Sequence, residues 1–167
     1  MGKNIGKGDE MLTKYLLVFF VSMVPLIELR LAVPMAVGMD LPYIPALIVC
    51  VIGNMLPVPI IYFFARKVLI WGADKKYIGK IFRFFLVKGE RAGEKLTAKT
   101  GRGGLFVALL LFVGIPVPGT GAWTGTLAAS FLNMGIKSTA LAVSLGVILA
   151  GIIMGLGSTG VLAVFGL

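Results

Sequence analysis

Apolar residues fall into four blocks along the chain, and two of the four are interrupted at their middle. Pro42–Ala65 is uncharged up to Arg66, and Ser138–Leu167 carries no charge at all. A membrane-spanning helix needs about 20 apolar residues at a rise of about 1.5 Å each, so both blocks are long enough to cross a bilayer. Pro57 and Pro59 predict a kink in the first. Gly146, Gly151, Gly155 and Gly157 loosen the second or let a neighbour approach closely, which leaves open one tilted helix or a span followed by a break. The other blocks are different. Tyr15–Val24 stops at Pro25-Leu26-Ile27-Glu28-Leu29-Arg30, after which Leu31–Met39 runs to Asp40. Leu105–Ile115 stops at Pro116-Val117-Pro118-Gly119-Thr120-Gly121, after which Ala122–Leu132 runs to Asn133. Each arm is about half a bilayer long, and a helix breaker separates it from the next.

Two re-entrant hairpins account for this, each dipping to mid-depth and returning before a full span. Non-helical backbone at that depth survives only where protein buries it or a wet cavity borders it, so two breaks imply a site. An ungapped shift of 93 residues places Pro25 on Pro118, Ala36 on Ala129, Asp40 on Asn133 and Gly53 on Gly146. The shared order of half-helix, break, half-helix and span is the stronger sign of duplication. Each unit crosses once, so the second is inverted relative to the first, a recurring plan in secondary transporters. The expected fold is an all-α integral membrane domain over 1–167. It comprises an exposed tail at 1–14, a first hairpin plus span at 15–65, a basic segment at 66–102, and a second hairpin plus span at 103–167.

Composition agrees with lipid as the solvent. Of 167 residues, 58% are hydrophobic and 14% charged, against about 25% charged in a typical soluble domain. Lys3, Lys7 and Lys14 ahead of Tyr15–Val24 look like a signal peptide's opening, but the chain runs on to Glu28 and Arg30 without a small-x-small cleavage site. The net charge of +9 is concentrated in 66–102, which holds eleven basic residues and three acids. A basic loop between apolar blocks belongs in the cytoplasm by the positive-inside rule, which makes this a multi-pass protein of the cell membrane. Ile78, Ile81, Phe82, Phe85 and Leu86 recur there at helical spacing, as in a helix lying on an anionic leaflet. Nucleic acid is excluded as a partner, because the segment is tethered at both ends and matches no binding motif.

Little in the sequence favours catalysis. There is no histidine, and the one cysteine, Cys50, lies in an apolar run, so neither a metal site nor a Ser–His or Cys–His pair is available. Gly72–Lys80 has the wrong spacing for a P-loop. The expectation is therefore a protein that is not an enzyme and has no cofactor. The chemistry-bearing residues are Glu28 and Arg30, each costing about 2.5–3.5 kcal/mol to insert, and such groups mark function by default. The plainer alternative is that they pair with each other, which needs an irregular turn because residues two apart on a helix face differently. If functional, Glu28 is placed to exchange a proton, with burial and Arg30 acting on it in opposite senses, and Arg30 suits a carboxylate or phosphate. Pro118, Gly119, Thr120 and Gly121 form the second candidate. Thr120 is expected to cap the half-helix from Ala122, whose N-terminus would hold an anion, and the alternative is a tight turn alone. Trp123 and Thr124 line the same cavity or merely pack. Asp40, at the first hairpin's mouth, reads as a boundary residue.

These residues carry a resemblance. Pro25-Leu-Ile-Glu28-Leu-Arg30-Leu-Ala-Val-Pro34 and Pro116-Val-Pro118-Gly119-Thr120-Gly121-Ala122-Trp123-Thr124-Gly125 resemble the putative small multidrug export protein family. Its layout is similar, more distantly, to the DedA-like (VTT) membrane proteins, which pair two re-entrant hairpins and are implicated in lipid or lipid-phosphate translocation. The resemblance implies transport. From it and from the residues, the leading expectation is a proton-coupled secondary transporter or exporter of a small or amphiphilic molecule, held between the hairpins by Glu28, Arg30 and the Gly119–Gly121 turn. A flippase or scramblase for a phosphate-bearing lipid such as a polyprenyl phosphate is the second reading, and a scaffold without transport the third. Membrane lipids are partners under each. A homodimer fits all three, since so small a bundle shields little interior from lipid.

Overall fold

In the computed structural model, residues 3–165 are described apart from 26, 76–78 and 118, and the described residues are helical with no strand. The order is α1 (Lys3–Met23), α2 (Glu28–Gly38), α3 (Tyr43–Met55), α4 (Pro57–Ala73), α5 (Gly79–Gly114), α6 (Ala122–Phe131) and α7 (Ile136–Phe165). The expected tail is instead the start of α1, which is helical from Lys3 and exposed over residues 8–13.

The proline and glycine signals have unequal effects. Only Leu56 separates α3 from α4, with helical angles and an N–H that bonds the Ile52 carbonyl at 3.1 Å. Pro57 and Pro59 remove two helix donors, yet Tyr43–Ala73 runs on as a 31-residue stretch long and apolar enough to cross a membrane. Ile136–Ser158 is the other such stretch, and α7 passes every one of its glycines as a single helix. By contrast, α5 turns sharply. Its limbs Gly79–Lys95 and Thr97–Gly114 meet at 95°, and Gly101 has φ 69° and ψ 175°, angles open to glycine and few other residues.

The second interrupted block breaks where the sequence pattern places it, at 115–121 between α5 and α6, whereas the first breaks at 24–27, shorter than the expected 25–30 because Glu28 and Arg30 already belong to α2. At about 1.5 Å per residue, α2 with 11 residues and α6 with 10 are about half a bilayer long. Both end in the same way. Asp40 (φ 58°) and Asn133 (φ 56°) occupy the left-handed region. The backbone bonds Leu41 to Ala36, Asp40 to Val37 and Ala46 to Pro42 recur, 93 residues later, as Met134 to Ala129, Asn133 to Ser130 and Thr139 to Gly135. These left-handed caps satisfy carbonyls that a helix end would leave orphaned.

Packing follows a matching exchange. α1 packs on α2 and α3, while α5 packs on α6 and α7; α2 rests against α7, while α6 rests against α4. Small residues line the inside, among them Ala32, Ala122, Ala129 and Ala142, while large ones face out, such as Phe64 (66% exposed), Ile60 and Leu156. That distribution inverts what water selects and suits lipid, where close helix contact rather than the hydrophobic effect joins helices. Gly53 allows such contact. A Cβ there would meet the Ser22 hydroxyl and the Phe19 carbonyl.

Candidate functional site

The two breaks meet, and each supplies what the other lacks. The first helical turn of α6 exposes N–H groups that no earlier residue of that helix can accept from. No acidic residue lies in that turn. Glu28, 94 positions upstream, brings its carboxylate there: Oε2 accepts from the Ala122 N–H and Oε1 from the Trp123 N–H, each at 3.0 Å. The side chain is buried, at 4% exposure. Both donors are backbone N–H groups, an arrangement that suits the ionised carboxylate, whose two oxygens are both full acceptors. The positive end of the α6 dipole then faces a full negative charge.

Backbone geometry aims that side chain. Glu28 has φ 53°, rare for a residue with a long side chain, and its N–H bonds the Val24 carbonyl at 2.9 Å. A strained residue at a functional position is a common association. Opposite it, Gly121 (φ 146°) leaves the space the carboxylate occupies, since a Cβ there would collide with Glu28.

Arg30 serves the other side of the same break. Its guanidinium donates to the Val117 carbonyl and to Thr120 Oγ1, and reaches the Ile115 carbonyl at 3.5 Å. The Thr120 hydroxyl in turn lies 2.8 Å from the Val117 carbonyl and 3.0 Å from that of Ile115. Arg30 therefore braces the turn that follows α5, whose Ile115 and Val117 carbonyls also accept the Val117 and Thr120 N–H groups at 2.8 and 3.1 Å. The exchange is completed by Trp123, whose indole Nε1–H donates to the Met23 carbonyl at the end of α1, at 3.2 Å.

Several expectations change. Glu28 and Arg30 do not pair with each other; among the described residues the ion pair within 4 Å is Lys14–Glu10. Each charge is satisfied by a different end of the opposite break. Thr120 does not cap α6, because its hydroxyl points back toward Ile115 and Val117 and the N-cap residue Gly121 makes no side-chain bond. The α6 N-terminus, expected to be open to an anion, is filled by Glu28. The structure thus joins Glu28, Arg30, Thr120, Gly121 and Trp123. Gly119 stays outside the joint with open space around it, and Thr124 bonds back to Gly121 at 3.4 Å. Pro118 lies outside the described residues. The groups that sequence reasoning missed are the backbone atoms of Met23, Ile115, Val117 and Ala122, whose only signal was their place at the ends of half-helices.

Residues 28–153 match the model of one protein family, described as putative small multi-drug export protein. That stretch holds every residue of the joint except Met23. No curated protein and no solved structure matches the chain.

Proposed function

Because the chain belongs to the putative small multi-drug export protein family, we propose that this membrane protein is a proton-coupled secondary transporter whose substrate site and gate are the interlocked breaks. The observation that carries the proposal is the bidentate seat of Glu28 on the α6 N-terminus. A proton added to that carboxylate removes its charge and one of its acceptor lone pairs, which weakens the seat. The freed N–H groups and Arg30 are then a ready site for an anionic group of the substrate. Proton and anion exchange for one position, which couples their movements. The family's name points to drug export, and this site selects, among such compounds, those that carry a carboxylate, phosphate or sulfonate.

The same reading takes the chain as two inverted units, each a re-entrant hairpin plus span. The 93-residue recurrence of the α2 and α6 caps and the exchanged packing of α2 on α7 and α6 on α4 support it. With 66–102 cytoplasmic by the positive-inside rule, the first hairpin opens outward and the second inward, in a multi-pass arrangement in the cell membrane. A second copy of the chain would shield the flank where Val24, Ile115 and Val117 are exposed.

One observation favours a lipid substrate as the second reading. An apolar groove of about 340 Å³ runs between α4 and α6, lined by Ile61, Phe64, Leu127 and Phe131, and reaches Trp123 beside the joint. Flux assays on reconstituted protein separate the two readings. The transporter reading expects a pH gradient to drive carboxyfluorescein but not ethidium, and expects Glu28→Gln to abolish the dependence on the gradient. Phospholipid headgroup movement that needs Arg30 and ignores the gradient would instead select the lipid reading. Coupled flux unchanged in Glu28→Gln removes the role of Glu28.

A further inference from the structure

A cavity of about 970 Å³ lies away from the breaks, where the bend of α5 meets the α6–α7 turn. It is about 15 Å from Ala122, the length of the ten residues of α6. Its floor is apolar, with Leu105 and Met134 both buried. Arg102 and Lys137 stand on its walls with Thr97 and Ser138, and neither cation pairs with an acid among the described residues. Glu94 is the acid in the lining among the described residues. At Asn133 the cavity adjoins a smaller one of about 270 Å³ that adds Arg66 and Arg83. Arg66 donates to Asn133 Oδ1, and Arg83 Nε bonds the Ala73 carbonyl at 2.9 Å. Among the described residues, two cations and one carboxylate thus line a roomy space with an apolar base, next to the start of a 30-residue helix with no acid in its first turn, and two more cations line the adjoining cavity.

We propose that this vestibule binds the oxyanion head of an amphiphile, a phosphate or carboxylate seated between Arg102 and Lys137 with its apolar body over Leu105 and Met134. Unpaired cations facing a shared cavity make charge-assisted bonds to such a group, and the apolar floor adds area that a bare ion cannot use. The assignment does not depend on transport or on Glu28. The phosphate has two sources, a membrane lipid headgroup or a free phosphate compound, and the test separates them.

Full-length protein in detergent micelles is titrated with phosphatidylglycerol and with phosphatidylcholine, and bound lipid is counted by native mass spectrometry. Phosphatidylglycerol is expected to be retained at least tenfold better. The exposed pair Arg102→Gln and Lys137→Gln, changed together, should lower that retention about tenfold. Lys88→Gln with Arg91→Gln, the same charge removed from a separate groove on the first α5 limb, should leave it within twofold. Glu94→Gln should raise it severalfold, a gain that misfolding cannot produce. Displacement by millimolar inorganic phosphate assigns the site to a free phosphate compound, and resistance assigns it to the lipid. Equal loss in both charge pairs, no gain with Glu94→Gln, or no preference for phosphatidylglycerol would overturn the proposal.

Discussion

Replacing Glu28 with glutamine exchanges one oxygen of the joint for an amide NH2 and alters almost nothing else, so its cost reads the joint directly. The native carboxylate accepts from Ala122 and Trp123, both at 3.0 Å. Hydrogen bonds to a charged group contribute about 1.5–3 kcal/mol each. Glutamine keeps one acceptor, now neutral and worth about 1 kcal/mol, and turns a donor toward the second N–H. That buried N–H goes unsatisfied at a cost of about 1–3 kcal/mol. Relief from burying a charge acts in the other direction, and burial can cost several kcal/mol per ion. Here the charge lies on the positive end of α6, where the interaction returns about 1–2 kcal/mol. The net expectation is a loss of about 2–3 kcal/mol. Glutamine keeps the φ of 53° at position 28, so backbone strain cancels from the comparison. Equilibrium unfolding in mixed micelles, followed by helical circular dichroism, measures the difference. A Glu28→Gln protein as stable as the parent, or more so, would mean that the carboxylate is not the cap described.

The glycines of the second break should differ in what they tolerate. Gly121→Ala drives a methyl into the Glu28 carboxylate and should cost 3 kcal/mol or more, whereas Gly119→Ala (φ 86°, open space) should cost only backbone strain of about 1–3 kcal/mol; the same unfolding assay ranks them, and equal effects would count against the close approach. Trp123→Phe loses the indole bond to Met23 and should cost about 1 kcal/mol with the rest of the joint intact, seen as a small shift of the unfolding midpoint. Asp40→Gly should stabilise by about 0.5–1 kcal/mol, since glycine suits a left-handed helix cap better than aspartate. Asn133→Gly at the equivalent place should not, because it also removes the acceptor that Arg66 uses.

Both breaks were legible in the sequence because proline, glycine and charge cluster in the middle of blocks too apolar to leave the membrane. Glu28 and Arg30 were legible as costly residues that need a reason. Their partners were not, for apart from the Thr120 hydroxyl those are backbone groups 85 to 95 positions away, and only tertiary placement brings one helix's orphan N–H groups to another helix's carboxylate. Thr120 misled for a related reason: threonine two residues before a helix suits a cap, but its hydroxyl turns back to the Ile115 and Val117 carbonyls of its own turn instead. The glycines of α7 also look like breakers in isolation. They persist in a straight helix because Gly151 and Gly155 face Leu47 and Tyr43 closely enough that a side chain would collide, with the Tyr43 hydroxyl bonded to the Gly151 carbonyl at 3.0 Å.

The account rests on both breaks lying at the middle of the bilayer, and spin-label depth measurement tests this most directly. In a Cys50→Ala background, single labels at Val24 and Val117, both exposed, are compared with labels at Asp40 and Asn133. The account predicts that oxygen relaxes the first pair strongly and a water-soluble nickel chelate hardly at all, placing them within about 5 Å of the centre of a core about 30 Å thick. It predicts the reverse for the second pair. Labels at 24 and 117 that respond to nickel as those at 40 and 133 do would place the breaks in water and contradict it.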